Sequence, residues 1–226
     1  MGLFENDEEY KKDLVRRKAR KADMMGSWVM VLFRLQIVAI VGSVLSSDLF
    51  EKVPVIYYLG VLMNFGILIA NSIILIRLKE VEDWFGKAGI CYLVSGCSSF
   101  VILLLTLGGA AVLGGILTIA MAIVELVGNY DECTGYEVSL QDIDEDLSAQ
   151  WSVQWKLELI CILSTLGVTF LSLIGAALLS MGILILCIIL MLVMVIANIA
   201  VGIRRLVYLH RTAVCFQNYV PDEIVE

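Results

Sequence analysis

The sequence predicts an all-α membrane protein: six transmembrane helices arranged as three hairpins, behind an N-terminal cytoplasmic amphipathic segment. Three observations lead there. Hydrophobic residues make up 60% of the 226-residue chain and charged residues only 17%, with a mean hydropathy of +0.90. That is too little charge to cover a water-soluble surface. Six apolar stretches are each close to the roughly 20 residues a bilayer-spanning helix needs. All but two of the sixteen Lys and Arg residues fall on one side of those stretches.

Residues 1–24 come first. Leu3, Phe4, Tyr10, Leu14 and Val15 are interspersed with acids and then with bases, and seven Lys and Arg lie between Lys11 and Lys21. This reads as an amphipathic helix forming a basic cytoplasmic tail. The spans follow at 25–47, 54–78, 88–107, 110–128, 156–178 and 182–206, forming a transmembrane bundle over 25–206. The third and fourth make one apolar run about twice the length a bilayer requires. A turn must interrupt it, at Gly108-Gly109 or at Gly114-Gly115. Were 88–128 re-entrant, only four passes would remain. Ser180-Met181-Gly182 is the expected turn between spans five and six. Residues 129–155 read as an acidic cytoplasmic loop and 207–226 as a cytoplasmic tail.

Orientation follows from the bases. Those before span one, between spans two and three, beside span five and after span six share a side, against Lys52 opposite; Arg34 lies within a span. The positive-inside rule then puts both termini in the cytoplasm. The expected location is a plasma or inner cell membrane.

Several motifs fail on inspection. Span one is too long for a signal-peptide core and lacks an A-x-A-like exit. The Met1-Gly2 start meets Asn6 where myristoylation wants Ser or Thr. Asp142-Ile143-Asp144-Glu145-Asp146 begins like a calcium loop, but Leu147 and Val153 replace its Gly and Glu. No C-x-x-C pair occurs, none of the six cysteines falls in an external loop, and His210 is the only histidine. Hence neither zinc nor a structural disulfide is expected. No basic, aromatic surface suggests nucleic acid.

What remains is polar chemistry at membrane depth. A charge at a helix centre costs about 2.5–3.5 kcal/mol on insertion scales, so each such group needs a partner or an exit. Arg34 sits about 13 Å from the cytoplasmic end of span one, with Gln36 beside it. Glu125 and Glu158 lie near the cytoplasmic ends of spans four and five, and either could pair with Arg34. Asn64 and Asn71 are seven apart, hence on one face of span two, and Asn198 lies at a matching depth in span six. These amides either bond between helices or line a polar seam. Asp142, Asp144, Glu145 and Asp146 are the candidates for binding a cytoplasmic partner.

Internal similarity points to a hairpin repeat. Residues 106–113 resemble 172–179, and Ile69-Ala70-Asn71 matches Ile196-Ala197-Asn198, each followed by an arginine, Arg77 or Arg204. Small residues such as Gly108, Gly109, Ala111, Gly114 and Gly115 would let spans three and four approach closely.

The expected function is non-enzymatic: a small channel or transporter subunit, with the bilayer as its solvent. Six short spans enclose little volume, so a homo-oligomer or a partner membrane or cytoplasmic protein is expected. The alternative is a membrane-embedded effector recruiting a partner through the acidic segment and charged tails. No residue is assigned to catalysis, to a cofactor or to a metal, because no span carries paired acids, an activated serine or a histidine.

Overall fold

The computed structural model describes residues 2–47, 53–107, 109–177 and 181–219. They form six helices: α1 (Gly2–Leu45), α2 (Pro54–Leu78), α3 (Asp83–Leu107), α4 (Ala111–Leu140), α5 (Glu145–Ala177) and α6 (Met181–Gln217). Each helix packs chiefly on its neighbours in the chain, and α6 closes on α1, so the six stand in a ring in chain order. α1, α2, α3, α5 and α6 are long and apolar enough to cross a membrane, the character of a multi-pass membrane protein. Their outward faces carry exposed Leu, Ile, Val and Phe throughout, which water would penalise and lipid does not.

Local chemistry sets the ends. Pro54 begins α2 at a position where its missing N–H costs nothing. Of the two glycine pairs expected to break the 88–128 run, Gly109 marks the turn with φ +81°, a conformation in which L side chains are strained. Gly114 and Gly115 lie inside α4. Gly108 and the Ser180 end of the expected α5–α6 turn lie outside the described residues, as does Leu178; α6 begins at Met181.

Residues 2–24 are helical and continuous with span one: α1 runs unbroken for 44 residues from Gly2, about 66 Å at the helical rise, roughly twice a hydrocarbon core. One expectation needs correction. Residues 129–155 are not a loop. α4 continues to Leu140, a short turn follows, and α5 starts at Glu145. The acids obscure a helical stripe, Cys133, Tyr136 and Leu140, which is fully buried. Gly135 supports the continuation, because a Cβ there would lie 2.8 Å from the Phe85 ring. The Asp144 carboxylate accepts the Leu147 N–H at 2.9 Å, capping α5.

These extensions build the core at the end of the ring where α1 and α6 carry the two chain ends. Every helix contributes: Met25, Val29 and Leu32 from α1, Leu75 and Leu78 from α2, and Phe85 from α3. Tyr136 comes from α4, Trp151 from α5, and Leu209 and Phe216 from α6. Tyr136 stacks on Trp151 with centroids 4.3 Å apart, Phe85 meets Tyr136 edge-on at 5.0 Å, and the Trp151 Nε1–H donates to Thr212 Oγ1 at 3.0 Å. Burial raises the Tyr136 hydroxyl and the Cys133 thiol well above their ordinary pKa ranges. Cys133, which the sequence places in a cytoplasmic segment, is therefore buried in this core.

Candidate functional site, a polar cavity inside the ring

The inward face of α1 changes character along its length. Ala22, Met25, Val29 and Leu32 recur every three or four residues and are buried in the core. The same register then reaches Gln36, Ser43 and Ser47, which face open space. Where the apolar stripe stops, a cavity of 490 Å³ begins. It is lined from all six helices: Gln36, Leu68 and Asn71, Tyr92, then Ala122, Glu125, Leu126, Asn129 and Glu132, with Ile162 and Arg205. A second space of 510 Å³ lies along one side of α1, lined by Gln36, Ala39, Ile40, Ser43 and Val44 and by Ser47 just beyond its end. The two spaces share Gln36, and only the first is lined from all six helices.

An ion cluster centred on Arg205 forms the end of the cavity nearest that core. Its Nη2 lies 2.6 Å from Glu132 Oε2, and its Nη1 lies 3.1 Å from Glu158 Oε2 and donates to Asn129 Oδ1. The Asn129 amide donates in turn to Glu158. Gln154, fully buried, donates to Glu158 Oε1 at 2.7 Å. The single proton of Tyr92 goes to Glu132 Oε2 at 2.9 Å, with Asn129 Oδ1 at 3.2 Å. Three helices, α4, α5 and α6, thus meet at one guanidinium, and Tyr92 ties α3 to the same cluster. Its forked donors suit two carboxylates at once in a way that a lysine would not. One arginine faces two carboxylates, so the cluster carries a net negative charge when all three are ionised.

The sequence-derived residues divide clearly. Gln36, Asn71 and Glu125 line the cavity. Ser95, 1% exposed, donates its hydroxyl to Glu125 Oε1. Glu158 is buried and paired, but its partner is Arg205. The expected pairing of Arg34 with Glu125 or Glu158 does not form. Arg34 is exposed on α1, on a face from which a long side chain can extend toward headgroups. Asn64 does bond between helices, donating to Ser46 Oγ at 3.1 Å. Asn198, exposed, donates to its own helix at Met194 O and does not reach the cavity. The resemblance of 69–71 to 196–198 therefore does not extend to placement. Its arginines lie instead against aromatic rings, Arg77 over Trp28 and Arg204 over Tyr208. Asp142, Glu145 and Asp146 are exposed at the α4–α5 turn, while Asp144 is engaged as the cap of α5.

Arg205, Glu132, Asn129, Tyr92 and Gln154 were not among the sequence candidates. Arg205 is hidden in the count of bases after span six, and Asn129 and Glu132 in the acidic segment. The available signal was spacing: Glu125, Asn129, Glu132 and Tyr136 fall at i, i+4, i+7 and i+11, one helical face once α4 is allowed to continue. Gln154 and Glu158 have the same i, i+4 relation. Among the described residues no three His, Cys, Asp or Glu side chains are gathered as a metal would need. No protein-family model, curated protein or solved structure matches this chain.

Proposed function

We propose that the protein is a small membrane permeation protein of the transporter or channel kind, with its solute path through the centre of one chain. The observation that carries this reading is the 490 Å³ cavity lined from all six helices. Its volume lies within the usual range for small-molecule sites. In this reading α4 supplies a sixth pass and the six passes are three hairpins closed into a ring. Both ends of the chain lie in the cytoplasm, by the positive-charge bias, in a plasma or inner membrane. The aromatic core then closes the path on the cytoplasmic side, and the Arg205 cluster is the latch above it. No chemistry is performed on the solute. An oligomer is compatible with this arrangement, but the cavity itself needs only one chain.

The test is solute entry into proteoliposomes, followed by light scattering after transfer into iso-osmotic alkylammonium, amino-acid and polyol solutions. Faster entry of at least one solute than in protein-free vesicles is expected. Ala122→Trp, which fills the cavity, should return that rate to background, whereas Asn198→Leu should leave it unchanged. Full flux in correctly folded Ala122→Trp would exclude the cavity as the path.

A second reading has one observation in its favour. The acidic turn is anchored by the Asp144 cap and displays Asp142, Glu145 and Asp146, a rigid charged knob suited to a basic partner. Neutralising those three while keeping Asp144 should abolish such recruitment and leave flux intact.

A further inference from the structure

The cavity is unevenly charged. Glu132 and Glu158 share Arg205, whose two terminal nitrogens are both engaged by them and by Asn129. Glu125 stands apart. Its one hydrogen bond among the described residues comes from the buried Ser95 hydroxyl and engages Oε1 only, leaving Oε2 for the cavity it lines. A hydroxyl orients a carboxylate but does not neutralise it. Glu125 is exposed and not buried, so its second oxygen is open to a ligand entering the cavity, and the two paired glutamates with their single arginine add negative potential to the same space. The remaining lining is of two kinds. Gln36 and Asn71 offer amides, while Leu68, Ala122, Leu126 and Ile162 form apolar wall.

We propose that this cavity binds small alkylammonium-type organic cations, with the ammonium on Glu125 and the hydrocarbon body against Leu68, Leu126 and Ile162. The assignment rests on the permeation reading and names its substrate class. A bare metal ion fits less well, because no three His, Cys, Asp or Glu side chains are gathered to hold one among the described residues. The apolar wall would also contribute nothing to such an ion. An anion would meet excess negative charge. Ser95 is a positioning residue, fixing which oxygen of Glu125 is offered.

The test uses the full-length protein in mild detergent, with thermal unfolding followed in the presence of butylammonium, butyrate, butanol or sodium ion. Butylammonium should raise the unfolding midpoint in a saturable way, as a ligand of the native state must, and the other three should not. Glu125→Gln, of nearly the same shape, should weaken the apparent butylammonium affinity about tenfold or more, the expected loss of a charged hydrogen bond. Ser95→Ala should weaken it less. Ala122→Trp should abolish it with Glu125 intact, which keeps the test decisive if Glu125→Gln proves unstable. Equal stabilisation by butyrate or butanol, or none by butylammonium, overturns the proposal. Undiminished butylammonium binding in Glu125→Gln overturns it too. Binding without proteoliposome flux would support the site and refute the permeation reading. Flux of another solute without butylammonium binding would do the reverse.

Discussion

The two ends of the ring are built from the same six helices by opposite means. At the end carrying the chain termini, Trp151, Tyr136, Phe85 and Leu209 are all but inaccessible, and aromatic rings fill the axis. In the other half the outward side chains are as apolar as lipid, and the axis is left open over Gln36, Asn71 and Glu125. On the permeation reading proposed above, the physical difference is the solvent. Where helices extend into water, burying aromatic surface drives them together, at about 25 cal/mol per Å². In lipid that drive vanishes, and packing relies on close backbone approach and polar contacts. A polar cavity is therefore easier to keep in the second half, provided the first half holds the ring shut.

The largest effect is expected where the two halves meet, at Arg205. Arg205→Ala leaves Glu132 and Glu158 buried without a counter-charge, and a loss of about 3–5 kcal/mol is expected from such a broken pair. Unfolding in mild detergent would measure it, and much of the loss should be recovered when Glu132 and Glu158 are both made Gln. Failure to recover would mean that Arg205 acts through packing and not through charge.

The next test contrasts the halves directly. Trp151→Ala should cost about 3–5 kcal/mol as a large core truncation, with Thr212 losing its donor. Phe170→Ala, a ring of comparable bulk but 67% exposed on α5, should change stability by no more than about 0.5 kcal/mol. Equal losses at the two positions would show that the open half is packed as tightly as the closed one.

The smallest expected effect is at Asp131, a buried carboxyl in the closed half. Burial raises its pKa, and the Lys87 charge only partly opposes this. A carboxyl whose folded pKa is raised favours the native state when protonated, and that contribution is lost as pH rises through the folded value. Asp131→Asn should therefore be more stable than the parent at neutral pH. The difference should shrink to nothing below the ordinary carboxylate range, near pH 4. A variant less stable than the parent at neutral pH would mean that the ionised carboxylate is held by its surroundings.

Part of the site could be read directly. Gln36, Asn71 and Glu125 stood out because polar groups are costly in apolar spans, and all three line the cavity. Asn198 stood out for the same reason and faces outward, since depth along a helix says nothing about azimuth. Residues 129–155 were illegible as helix because seven acids outweigh, in any hydropathy window, the few buried positions that order them. Arg205 was illegible as a site because a base after a span is also what orientation requires.

By itself the sequence determined the helical class, the apolar lengths and the asymmetry of its bases. These are properties of local composition acting against a hydrocarbon slab of fixed thickness. Only the tertiary structure decided that α4 continues past Gly128, that Glu158 belongs to Arg205 and not to Arg34, and that six helices close around a cavity. Each of those depends on which faces meet across the ring. That is set by side chains on different helices, Phe85 against Gly135, Trp151 against Thr212 and Gln217 against Gly26, whose contacts no single helix displays.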